Sequence, residues 1–127
     1  MRVMVLVKTT PELEETYIED PRAAEDMAEM GRFNDVLTKA GVMLAGEGLA
    51  PSREGKLVNF GADGPSVIDG PFAESKELVG GYWIWQVESI DEAIEWLKKA
   101  PFRDGTVEIR RIYEEADFAD GLPPKSS

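Results

Sequence analysis

The chain has 127 residues, 43% of them hydrophobic and 31% charged, the proportions of a single folded domain rather than of a disordered or membrane-spanning segment. Its 14 basic and 25 acidic residues give a net charge of −11 with no basic block, which opposes the phosphate attraction on which nucleic-acid binding rests. Without Cys there is no disulfide or thiolate chemistry, and without His the commonest general base and metal ligand is gone.

The first residues are apolar but lack a small-residue cleavage site, and no run approaches the roughly 20 apolar residues of a membrane span. The expectation is a cytoplasmic domain that binds neither membrane nor nucleic acid. Residues 2–8 form a β-branched run of strand length, whereas residues 9–19, acidic and interrupted by Pro11, show no period and read as a loop. Asp20-Pro21 predicts a helix start, with an N-cap followed by a proline that has no N–H to leave unpaired. Met27, Met30, Phe33, Leu37 and Ala40 recur at intervals of three and four, and Gly41 is a natural C-cap.

Residues 42–49 make a second strand interrupted by Gly46 and Gly48. Residues 56–60 and 66–69 pair as a hairpin around the turn formers Gly61, Asp63, Gly64 and Pro65. Residues 81–88 form a strong strand, and Ser89 with Glu92 reads as a capping box for a second helix. The face of that helix is Ile90, Ala93, Ile94 and Leu97, and Pro101 stops it. Residues 107–113 form the last strand. The chain past Glu114 reads as a tail, with the domain spanning about residues 1–118 and residues 119–127 flexible.

This order is a ferredoxin-like α+β pattern, βαββαβ, with an inserted hairpin. Two helices cover one face of a four-stranded sheet, yet the strands are apolar on both faces: Val3, Val5 and Val7 alternate with Met4 and Leu6, and Trp83 and Trp85 with Tyr82 and Ile84. A second copy would supply the missing cover. The expected homodimer rests on Met4, Leu6, Trp83 and Trp85, with a small ligand held where the packing is incomplete.

The segment Asp69-Gly70-Pro71-Phe72-Ala73-Glu74-Ser75-Lys76-Glu77, followed by Gly80-Gly81-Tyr82, resembles the signature of the bacterial DGPF family within the YCII-related proteins. The similarity extends through Gly46-Glu47-Gly48-Leu49, Asp91-Glu92-Ala93 with Trp96, and Glu108-Ile109-Arg110, nearly the whole chain. It implies a subunit that forms a dimeric α+β barrel. The broader group is known for a His and Asp pair in its cleft, suggested to be catalytic, and this chain has no His to take that part. Family members are often encoded beside or fused to alternative sigma factors, which implies a regulatory setting with a protein partner in transcription.

Turn chemistry accounts for the DGPF residues without a ligand: Asp69 accepts a backbone N–H, Gly70 tolerates positive φ, Pro71 fixes the turn and Phe72 plugs the core. On that reading Asp69→Ala costs about 1 kcal/mol or more and Asp69→Asn is mild. The functional reading pairs the carboxylates of Asp69 and Glu74, balanced by Lys76, as an acid and base. Trp83 and Trp85 share a strand face and make either core, interface or an aromatic wall for a planar ligand, while Arg110 or Arg111 holds an anion or an intersubunit carboxylate. Neither a cofactor nor a metal is expected. Three functions stay open: a dimeric small-ligand or regulatory module, a cofactor-free oxygenase or isomerase acting on a small aromatic or enolisable compound, and a protein-interaction domain.

Overall fold

The computed structural model describes residues 1–17, 19–70 and 77–119. The elements follow the order β1 (Arg2–Thr9), α1 (Pro11–Thr16), α2 (Ala23–Lys39), β2 (Met43–Gly48), β3 (Lys56–Gly61), β4 (Gly64–Asp69), β5 (Leu78–Gln86), α3 (Ile90–Leu97) and β6 (Val107–Arg111). Strands β2, β5, β1 and β6 lie in that order in one sheet, every neighbour antiparallel, while β3 and β4 pair as a separate hairpin. This is a ferredoxin-like α+β fold with a β-hairpin inserted between β2 and β5. The sheet of the single chain is open and does not close into a barrel.

Strand alternation decides which side chains meet the helices. Val3, Val5, Trp83 and Trp85 all point to one face, where they are buried with Phe33 and Leu37 of α2, Ala93 of α3, Val42 and Val87. Phe33 packs edge-on against Trp83 and Trp85, with centroids 5.9 and 6.5 Å apart. Helix α2 stops where Gly41 takes φ +75, which lets Val42 N–H reach Leu37 O at 2.9 Å and turns the chain into β2.

Three local readings change. Residues 11–16, expected as loop, form the short helix α1, because Thr10 Oγ1 accepts the Leu13 N–H at 3.2 Å and Pro11 takes the first turn. Asp20 does not cap α2: its carboxylate accepts the Arg22 N–H at 2.8 Å in a turn, and the helix begins at Ala23. Residues 114–118, expected as tail, are docked by Arg2 Nε on Glu114 at 2.7 Å, Arg111 Nη1 on Asp117 at 2.7 Å and Tyr113 edge-on to Phe118.

Helix α3 is capped by Ser89, whose hydroxyl accepts the Glu92 N–H at 3.1 Å. Glu92 reaches back one residue further than a capping box does, accepting the Glu88 N–H at 2.7 Å and the Trp96 indole N–H at 3.1 Å. Those two donors, the backbone one first, hold its carboxyl below the ordinary 4.5. A carboxyl depressed by folding adds stability above its unfolded pKa, and that stability is lost as pH falls through the folded value. Thermal melts of wild type and Glu92→Gln should therefore differ most near neutral pH and converge as pH falls below about 4.5. A constant gap across that range would contradict the assignment.

Candidate functional site

The sheet face turned away from α2 and α3 carries Met4 and Leu6 of β1 opposite Ile84 and Tyr82 of β5, all four partly buried. Across β1 from them stand Arg110 and Glu108 of β6, opposite Met4 and Leu6 respectively. Lys8 Nζ lies 2.9 Å from Glu108 Oε1, and Arg110 Nε is 3.7 Å from Glu108 Oε2 with its side chain 72% exposed. The site is thus an apolar floor with a charged margin. The hydrogen bond between Lys8 and Glu108 is the main reason that Glu108 is held below, and Lys8 above, its usual range. Both shifts strengthen the charged form, the reverse of what a general acid or base near neutral pH requires.

Of the residues singled out from the sequence, the described ones, Asp69, Trp83, Trp85 and Arg110, are not gathered in one place. Trp83 and Trp85 are buried on the opposite face from Arg110, since Trp83 sits opposite Val5 whereas Arg110 sits opposite Met4. Trp83 also spends its indole N–H on Asn34 Oδ1 at 2.8 Å. An aromatic wall of two tryptophans facing an arginine is therefore not formed, and the cover that a second chain could provide concerns Met4, Leu6, Tyr82 and Ile84 instead. Of the two arginines, Arg110 belongs to the open face, while Arg111 is engaged by Asp117 and lies 5.5 Å from the Tyr113 ring. Phe72, Glu74 and Lys76 lie outside the described residues.

Asp69 lies at the root of the hairpin. It stands opposite Lys56, whose Nζ is 2.6 Å from its carboxylate, and its side chain is 75% exposed. An exposed cross-strand pair is worth about 0.2–1 kcal/mol. Asp69→Ala should accordingly lower stability by less than about 1 kcal/mol, and a larger loss in urea denaturation would restore the buried-turn role expected from the motif.

Gly70 is demanding in a different way from the one expected. Positive φ among the described glycines falls at Gly41, Gly64 and Gly105, not at Gly70. A Cβ on Gly70 would instead land on the Ser52 carbonyl, with Ser52 C at 2.8 Å. Gly70 N–H donates to Gly55 O at 3.0 Å, Gly55 N–H to Ser52 O at 2.9 Å, and Ser52 N–H and Oγ donate to the Glu14 carboxylate at 3.0 and 2.6 Å. Beside this root is a shallow, mostly apolar depression of about 330 Å³ between Leu49, Pro51, Leu78 and Val79. Its Glu14 is already occupied by Ser52, which leaves little for recognising a ligand. Among the described residues no three acidic groups cluster as a metal site, and no helix is long and apolar enough to cross a membrane.

Lys8 and Glu108 were missed as members of the site. The signal was present in the alternation of β1 and β6, but it needed the pairing of those two strands to become a place.

The architecture defines the chain as a ferredoxin-like α+β domain whose core helices α2 and α3 both pack on one face of the sheet. It belongs to the YCII-related domain family, which matches it over residues 1–116. It is also 30% identical over 97 residues to an uncharacterised protein of Rhizobium meliloti (strain 1021), covering 74% of this chain and 76% of that one.

Proposed function

We propose that the protein is a homodimeric small-ligand-binding module in which two copies pack their uncovered sheet faces together and enclose a small apolar molecule with an anionic group. The observation that carries this reading is the row Met4, Leu6, Tyr82 and Ile84 on the face opposite both core helices, with the loosely held Arg110 at its margin. Strands apolar on both faces call for cover on both. Arg110 brings five N–H donors of which Glu108 engages few, so an anionic group entering beside it meets a ready partner. A ligand held between two chains also stabilises their association by mass action, which gives the module a regulatory output.

The test uses an apolar sulfonate dye, anilinonaphthalene sulfonate, as probe. Wild type should bind it with fluorescence enhancement, and Arg110→Leu should weaken binding about tenfold at unchanged melting temperature, as loss of a charge-assisted contact worth about 1.4 kcal/mol does. Equal affinity for both proteins would remove Arg110 from the site.

A further inference from the structure

The β3–β4 hairpin stands apart from the core with every residue of both strands exposed. Leu57, Val58, Phe60, Val67 and Ile68 are 41, 48, 83, 64 and 47% exposed. Val58 lies opposite Val67 and Phe60 opposite Pro65, so these four share one apolar face. A two-stranded hairpin by itself is marginal in water and gains stability by packing on something.

Its root, by contrast, is fixed by the Gly70–Gly55, Gly55–Ser52 and Ser52–Glu14 hydrogen bonds and by the Lys56–Asp69 pair. An arm held out in one conformation loses little entropy on docking. The hairpin's own charges neither select nor repel strongly, because Lys56 and Asp69 neutralise each other and only Asp63 remains at the tip. The net charge of −11 disfavours nucleic acid and anionic lipid as occupants.

We infer that this hairpin is a clasp that closes on a second copy of the chain, laying its Val58, Phe60 and Val67 face against the partner subunit beside the paired sheets. The inference rests on the sheet-to-sheet dimer proposed above and completes it in area. Met4, Leu6, Tyr82 and Ile84 are each only partly exposed, so four such side chains fall short of a stable interface, which takes about 800 Å² from each partner, more than half of it apolar. The docking face of the hairpin, with Val58, Phe60 and Val67 all largely exposed, supplies the further apolar area such an interface needs. Six-residue strands extend about 20 Å from the β2–β5 end of the sheet, long enough to reach across a chain docked on the adjacent face.

Sedimentation equilibrium of the full chain, of Phe60→Ser combined with Val67→Ser, and of Ile84→Arg separates the claims. The expected result is a wild-type dimer, an Ile84→Arg monomer, and a hairpin variant with unchanged circular dichroism whose dimer dissociates at least about tenfold more readily. The chain has no Cys, so Ala62→Cys carries a benzophenone label at one site only, and irradiation should join two chains covalently. A monomeric wild type overturns the clasp and the sheet dimer together. A dimer equally tight in wild type and hairpin variant, or one that yields no joined chains, overturns the clasp alone and leaves the hairpin to a different protein.

Discussion

Replacing Trp85 by alanine should lower the stability of the folded chain by about 3–5 kcal/mol, a large share of what a domain of this size possesses. Trp85 is fully buried, with its ring 5.4 Å from Trp83 and 6.5 Å from Phe33, centroid to centroid. Removing it opens a void between the central strand β5 and α2 that neither element can close, since both are fixed by their neighbours. Trp85→Phe should cost far less, because it keeps a ring in the slot and drops an indole N–H for which the described residues hold no acceptor. Equal losses for the two variants in chemical denaturation would show that the site is not tightly packed.

Gly70→Ala should also be costly, by about 1–3 kcal/mol, because the methyl meets a backbone carbonyl that cannot rotate away. The Ser52 segment that it meets is pinned by Glu14, so the strain falls on the hairpin root. Gly61→Ala, on the same hairpin, is the control: its added Cβ meets nothing within 4 Å, and it should stay within about 0.5 kcal/mol of wild type. If both variants behave alike, close approach is not the reason for glycine at position 70.

The difference between these two glycines shows what could be read in advance. The succession of strands, the hairpin and the helices α2 and α3 followed from period, turn residues and the Ser89 cap, each a local property. The short helix α1 was equally local, signalled by Thr10-Pro11, but the acidic, aperiodic stretch after it masked the signal. Gly70 was legible as special and not as to why, because the group that it must avoid lies 18 positions away in sequence.

The site was less legible than the fold for the same reason. Alternation shows that Trp83 and Tyr82 face opposite ways, yet not which of them meets the helices, and a slip of one residue exchanges the faces. Here α2 brings Phe33 and Leu37 onto the tryptophan side, which buries the aromatic pair and leaves Tyr82 and Ile84 outward. Arg110 lies on the outward side because it pairs with Met4, which faces that way. Asp69 faces Lys56 across the hairpin, a cross-strand partner that the motif by itself did not indicate.

Whether the uncovered face joins two copies is decided most directly by sedimentation equilibrium of the unmodified chain at about 10 μM, a concentration at which an interface of standard size is assembled. The account predicts a single species of about 28 kDa, twice the 14.1 kDa of one chain, that reverts to one chain in Ile84→Arg without loss of folded signal. A well-folded wild-type species of 14.1 kDa under the same conditions would contradict it.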